Sequence, residues 1–182
     1  MGRAGTQFGV YAASYAAPEG KPRAFRVLLH AELPDRIHAE VLGPIGGPRL
    51  IVDGGGGRLA VTFVGEGTSY VGEATAEALD AVLGVRIALD ELVSGLLTGE
   101  IPPGAPYRLL RSPAGDGGLP GTVEVISPSG GRLELRLKKR RAVATVEPGL
   151  ASGTPPPRTR HRPLIELAGR DGTALIAPEP AG

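Results

Sequence analysis

From Gln7 to Val71, apolar and polar residues alternate with a period of two in one short segment after another, and the connections between the segments are short and rich in Gly and Pro. Such alternation buries one face of a strand and leaves the other polar. Connections this short join antiparallel neighbours, because a parallel crossover needs a dozen residues or more. Strands are expected at Gln7 to Ala16, Ala24 to Leu33, Arg36 to Val41, Arg49 to Asp53, Arg58 to Val64 and Ser69 to Val71, each pairing with the next. The Asp53-Gly54-Gly55-Gly56-Gly57 link lies between two strands and lacks the Lys and Ser/Thr of a phosphate-binding loop, so it reads as a hairpin turn.

One turn breaks the rule that turn residues are polar. Val41-Leu42-Gly43-Pro44-Ile45-Gly46-Gly47-Pro48 places a large aliphatic side chain, Ile45, at its tip. The glycines permit positive φ, and the prolines fix φ and remove donors, so the segment is a stiff loop. Ile45 either folds back into the core or projects toward something apolar outside.

Beyond Val71 the period changes to 3.6. Thr75 to Leu83 is expected to be a helix, with Thr75 as its cap, Gly84 as its stop, and an apolar patch of Ala78, Leu79, Val82 and Leu83. In a second helix Leu89, Leu92, Val93, Leu96 and Leu97 share a face opposite Asp90, Glu91, Ser94 and Thr98, and Gly99 and Pro102 end it. Helices of about ten residues do not persist alone in water, so both must lie on the sheet. Thr122 to Ile126 and Arg132 to Lys138 form a hairpin around Ser127-Pro128-Ser129-Gly130-Gly131, with Leu133, Leu135 and Leu137 inward. Ala142 to Val146 is a further strand candidate, Glu147 to Pro163 a Pro-rich loop, Leu164 to Ala168 with Ala174 to Ile176 a last hairpin or extension, and Pro178 to Gly182 a frayed end. The whole is one domain, residues 1–182, of α+β class: a strongly curved antiparallel sheet covered by short helices.

Composition excludes several function classes. Twenty Lys and Arg against nineteen Asp and Glu leave a net charge of +1, too little to draw nucleic acid or an acidic partner. The basic run Lys138-Lys139-Arg140-Arg141 lacks interleaved aromatics, so it reads as a solvated hairpin end, with anionic headgroups as the other use of such charge. Without cysteine there is no thiolate nucleophile and no Cys-based zinc site. His30, His38 and His161 are far apart in sequence, and no His-Glu-x-x-His or Gly-x-Ser-x-Gly motif occurs. Enzymatic function, catalytic residues, metals and cofactors are therefore not expected. No apolar run reaches the length of about 18 residues of a transmembrane helix, and Met1 to Thr6 lacks a secretory core, its fit to the loose myristoylation pattern being incidental. For an exported protein the expectation is a signal, and any lipid-bearing cysteine, ahead of Met1.

The strand ending in Val41-Leu42-Gly43-Pro44-Ile45-Gly46, the Gly-rich hairpin, Tyr70 before Ala74-Thr75-Ala76-Glu77-Ala78-Leu79, Leu83-Gly84-Val85-Arg86-Ile87-Ala88-Leu89, and the exit through Gly99 to Ile101-Pro102 together resemble the LolA/LolB-like bacterial lipoprotein carriers, above all the outer-membrane receptor branch. The likeness runs from about Phe8 to Pro106, and the hairpin between Leu119 and Leu137 is also similar. It departs in lacking tryptophan, in a short Arg108 to Gly118 segment and in the extra tail from Leu150.

The resemblance implies a half-open barrel with helices over its mouth, a cavity for acyl chains of lipoproteins or other lipids, transient contact with a membrane surface, a periplasmic or outer-membrane location, and a periplasmic carrier protein as a further partner. Ile45 falls at the membrane-engaging tip, within Leu42, Gly43, Pro44, Ile45 and Gly46. Leu79, Val82, Leu83, Leu92, Val93 and Leu96 are expected to line the lid side of the cavity, with Val61 and Phe63 from the sheet. Each buried CH₂ of an acyl chain is worth about 0.8 kcal/mol. Burying one Ile is worth at most about 3 kcal/mol, and on insertion scales nearer half a kcal/mol, so the tip would touch and release. The reading from another class is a structural or regulatory envelope module whose lidded sheet binds a protein.

Overall fold

The computed structural model describes residues 6–113, 120–141, 155 and 157–169. Six consecutive strands come first: β1 (Thr6–Ala16), β2 (Arg23–Glu32), β3 (Arg36–Leu42), β4 (Pro48–Gly55), β5 (Arg58–Phe63) and β6 (Thr68–Glu73). Each pairs antiparallel with the next, as the alternation requires. The β4–β5 turn closes on Gly56 and Gly57, both at positive φ (60° and 72°), the pair of values that favours glycine in a two-residue hairpin.

Helices α1 (Ala76–Leu83) and α2 (Leu89–Leu97) follow. The Thr75 hydroxyl accepts the Ala78 N–H, and Gly84 ends α1 in the left-handed region, its N–H bonded to the Asp80 carbonyl. Ala88 has no side-chain acceptor for α2, and Glu91 reaches back to the Ala88 N–H instead. The chain then returns to the sheet as β7 (Arg108–Arg111), β8 (Thr122–Ile126) and β9 (Arg132–Arg141), with β9 against the open side of β1. β7 lies in the segment that the sequence left without a strand.

The tail corrects two expectations. Arg160 to Pro163, within the expected loop, is strand β10 and pairs parallel with β6, so the sheet is mixed rather than antiparallel throughout. Leu164 to Ala168 is not the first strand of a hairpin: Leu164–Gly169 is a 3₁₀ helix, η1, which places Leu164 and Leu167 on one side at its three-residue period, and both are buried. The candidate strands Ala142 to Val146 and Ala174 to Ile176, and the end from Pro178, lie outside the described residues.

Among the described residues the strand order is β10-β6-β5-β4-β3-β2-β1-β9-β8-β7, ten strands in one sheet that does not close into a barrel. One face supplies a single core to which every element from β1 to β9 contributes, from Tyr70 on β6 to Leu109 on β7, together with the apolar stripes of α1 and α2. The other face is also covered in places. His30, His38, Asp53, Thr62 and Ser69, which alternate with core residues, are buried there.

Candidate functional site

The β3–β4 connection is built to hold its tip away from the protein. The Gly46 N–H donates to the Gly43 carbonyl at 3.0 Å, closing a turn with Pro44 and Ile45 at its two central positions, where proline's fixed φ suits the first. Gly46 then turns through φ 95°, and the Gly43 N–H donates to the Gly47 carbonyl at 2.8 Å, which returns the chain to β4. Leu42 is half-buried and Gly43 buried, anchoring the base, whereas Pro44 and Gly46 are exposed and Ile45 is 100% exposed. A side chain built on Gly46 or Gly47 would meet nothing within 4 Å. Of the two fates open to Ile45, the structure has the outward one.

At the same end of the sheet lie the β1–β2 turn (17–22), the β5–β6 turn (64–67), where Val64 is exposed, and the β8–β9 turn (127–131). The basic run at Lys138 to Arg141 is at the far end of β9, paired near Phe8 to Val10. It is about 20 Å along the strand from the end that carries Ile45.

The eight expected cavity residues are brought together between α1, α2 and the sheet. Val61, Phe63, Leu79, Val82, Leu92, Val93 and Leu96 are buried members of the core, and Leu83 is partly buried against it. Val61, Val82 and Val93 have no accessible surface, and Leu79 has 1%. A hollow wide enough for water leaves accessible surface on the atoms that line it. None touches these three valines, and the space between lid and sheet is filled by side chains at their positions.

The lid is tied down at four points. Leu89 rests on the bare backbone of Gly54 in β4, where a Cβ would come within 2.9 Å of its Cδ2. Nearly two turns further along α2, Gly95 receives Leu109 of β7, whose Cδ1 would lie 2.8 Å from a Cβ there. The Arg111 guanidinium donates to the Leu96 carbonyl at 3.0 Å, a cation on the carbonyl end of the helix. The Tyr107 hydroxyl donates to Glu91 at 3.1 Å, and burial together with that carboxylate raises the phenol's pKa.

Alternation on β3 marks His38 only as a polar, outward residue; it is instead the centre of a buried ionic group. Its Nδ1–H donates to Asp53 at 2.7 Å and its Nε2–H to Glu40 at 3.1 Å. Burial opposes the charged imidazolium, but the two carboxylates prevail and raise its pKa to about 9, while the His38 contact lowers that of Glu40. The β2–β3 hairpin sets His30 directly opposite His38, so two histidines distant in sequence are neighbours. His30 is 1% exposed with neither ring nitrogen hydrogen-bonded, and burial lowers its pKa. His161 is on β10, beside Ser69. Among the described residues no three His, Asp or Glu side chains converge as metal ligands do.

Open grooves lie outside the lid among the described residues. One of about 500 Å³ runs along the polar side of α2 past Asp90, Glu91, Ser94 and Glu100 to Ile101 and Pro102. Another of about 610 Å³ crosses the outer face of β7 to β9, where Glu124 pairs with Arg132 and Glu134 with Arg136. Among the described residues no helix is long and apolar enough to cross a membrane. Compared with known families and curated proteins, the chain matches no family model and no curated sequence.

Proposed function

We propose that this protein binds the acyl chains of lipoproteins, or similar lipids, beneath its helical lid and delivers them to the outer membrane, working at the periplasmic face in the manner of the LolA/LolB-like receptors its sequence resembles. The observation that carries the reading is Ile45: a wholly exposed aliphatic side chain on a turn stiffened by Pro44 and held clear by two internal hydrogen bonds. A single exposed apolar residue is ordinary on a protein surface, but one at the apex of a projecting turn is placed to enter a bilayer first.

The half-open barrel that such a carrier needs is inferred from α2. Its Leu89 rests on β4 and its Gly95 on β7, six strand spacings apart in the sheet order, roughly 29 Å if the sheet were flat. The two helical residues are only about 9 Å apart along the axis. A sheet that bends β4 and β7 toward each other reconciles these figures. Because the lining valines are packed, an acyl chain enters by lifting α1 and α2, and their brevity keeps that motion within reach. Ile45 touches the bilayer and lets go, since its burial alone does not hold a protein there.

The deciding experiment is Ile45→Glu, with lipopeptide binding and transfer to membranes measured on the same preparation. Transfer fails and binding survives if the tip engages the bilayer; unchanged transfer overturns the role of the loop. The second reading, an envelope module that binds a protein partner with no lipid cargo, draws on the packed interior at Val61, Val82 and Val93. Native mass spectrometry after incubation with a triacylated lipopeptide separates the two: a bound acyl species supports the carrier, and persistent emptiness supports the module.

A further inference from the structure

The turns around Ile45 carry an uneven share of the charge. Lys21 lies in the β1–β2 turn and Arg23 opens β2, Arg26 pairs with Leu42 at the end of β3, Arg49 follows the β3–β4 turn, and Arg158 precedes and Arg160 opens β10 beside the β5–β6 turn. On the β7 to β9 side of this end Arg108 and Arg132 are matched by Glu124 and Glu134, whereas in the turns around Ile45 Glu19 and Glu66 are, among the described residues, the acids that oppose the six cations. That is a net +4 from eight residues of a chain whose total is +1. All six cations are exposed except Arg49, which is half-buried, and Arg160 donates one guanidinium N–H to the Glu66 carbonyl. Val64, 43% exposed at the β5–β6 turn, adds a second apolar residue.

We propose that this end of the sheet is a docking surface for an anionic phospholipid bilayer, with Ile45 and Val64 entering the headgroup layer and Lys21, Arg26 and Arg160 reading its negative charge. The proposal rests on the carrier reading and adds the chemistry of the membrane it serves. Charge complementarity selects the occupant. Cations spaced around an apolar tip suit a surface that is negative everywhere and greasy beneath, which a folded protein partner does not offer. The basic run Lys138 to Arg141 takes no part, since it lies at the opposite end of β9.

The test is flotation of the whole protein with vesicles of phosphatidylcholine alone and of phosphatidylcholine containing phosphatidylglycerol, at low and high salt. Wild-type protein floats with the anionic vesicles, stays behind with the neutral ones, and is released by salt as the surface charge is screened. The pair Lys21→Glu with Arg26→Glu weakens partition by roughly several hundredfold, since it changes the charge by four units and each unit near an anionic surface is worth about a fivefold change. The pair Lys138→Glu with Lys139→Glu, at the far end, leaves it unchanged. Equal binding to neutral vesicles, binding to neither, or a far-end pair as damaging as the near-end pair each overturns the proposal. Circular dichroism of each variant keeps misfolding apart from lost docking. Uptake of a triacylated lipopeptide from micelles is read in parallel: uptake without charge selectivity sinks the docking surface alone, and selectivity without uptake sinks the carrier reading alone.

Discussion

Leu164 of the tail sits on the bare α-carbon of Gly72: a methyl group added to that glycine would come within 2.8 Å of the Leu164 Cβ, closer than real carbon atoms approach. The contact seats η1 against β6, and it exists because Gly72 has no side chain on the core face of the strand. Gly72→Ala should therefore push η1 away and lower stability by about 1 to 3 kcal/mol, the range for overpacking a filled site. Leu164→Ala should cost about 2 to 4 kcal/mol from the opposite side by leaving a void. Denaturant unfolding of both variants and the double mutant checks this, because two residues in contact give non-additive losses.

Legibility in the sequence followed the range of the forces. The six strands, both helices, Thr75 as a cap and Gly84 as a stop are set by alternation, helical spacing and capping within a few residues, and all of them are read from the chain. The tail was misread because β10 is short, wholly exposed and held by β6, some ninety residues earlier in the chain, so its pairing leaves no local pattern. The loop tip was visible as an anomaly, Ile45 among glycines and prolines. Its direction depends on what surrounds the turn, and no pattern of residues gives that. The charge around it was hidden in the same way: Lys21, Arg26 and Arg160 stand far apart in the chain, while the conspicuous basic run belongs to the other end of the sheet.

The turn's rigidity and its chemistry can be separated by mutation. Ile45→Glu and Ile45→Ala should both leave unfolding free energy within about 0.5 kcal/mol of wild type, since the side chain touches nothing. Gly46→Val should cost about 1 to 2 kcal/mol, because a branched residue is strained at φ 95°. A tip that must be aimed predicts that Gly46→Val, with Ile45 intact, still reduces vesicle partition. Partition at the wild-type level in that variant would mean that the apolar side chain suffices without the stiff turn.

Arg111 and Gly95 hold α2 at one end, so loosening them should free the lid before the sheet. Arg111→Met keeps the apolar stem but removes the donor to the Leu96 carbonyl, at a cost of about 1 kcal/mol. Amide exchange in α2 should rise while exchange in β2 to β5 stays as in wild type. If the lid must lift for cargo, the same variant takes up lipopeptide faster; uptake at the wild-type rate with α2 exchange increased would separate lid mobility from loading.

The two neighbouring histidines give stability opposite dependences on pH. His38 has a folded pKa near 9, above its ordinary 6.5, so its contacts with Asp53 and Glu40 contribute fully below pH 6.5, and the contribution is lost as pH rises toward 9. The side chain is buried, and the loss across that window is on the order of 2 to 3 kcal/mol. His30 has a folded pKa below 6.5 because its site disfavours charge, so acidification through 6.5 draws protons to the unfolded chain and destabilises the fold. The unfolding midpoint should therefore fall on both sides of neutrality. His38→Gln should remove the alkaline fall and leave the acid one. His30→Leu, which fills a buried site whose nitrogens have no partners, should remove the acid fall and raise stability at pH 5. Thermal unfolding from pH 5 to 9.5 reads all three curves, and an alkaline fall that survives in His38→Gln would place its origin outside the His38, Asp53 and Glu40 group.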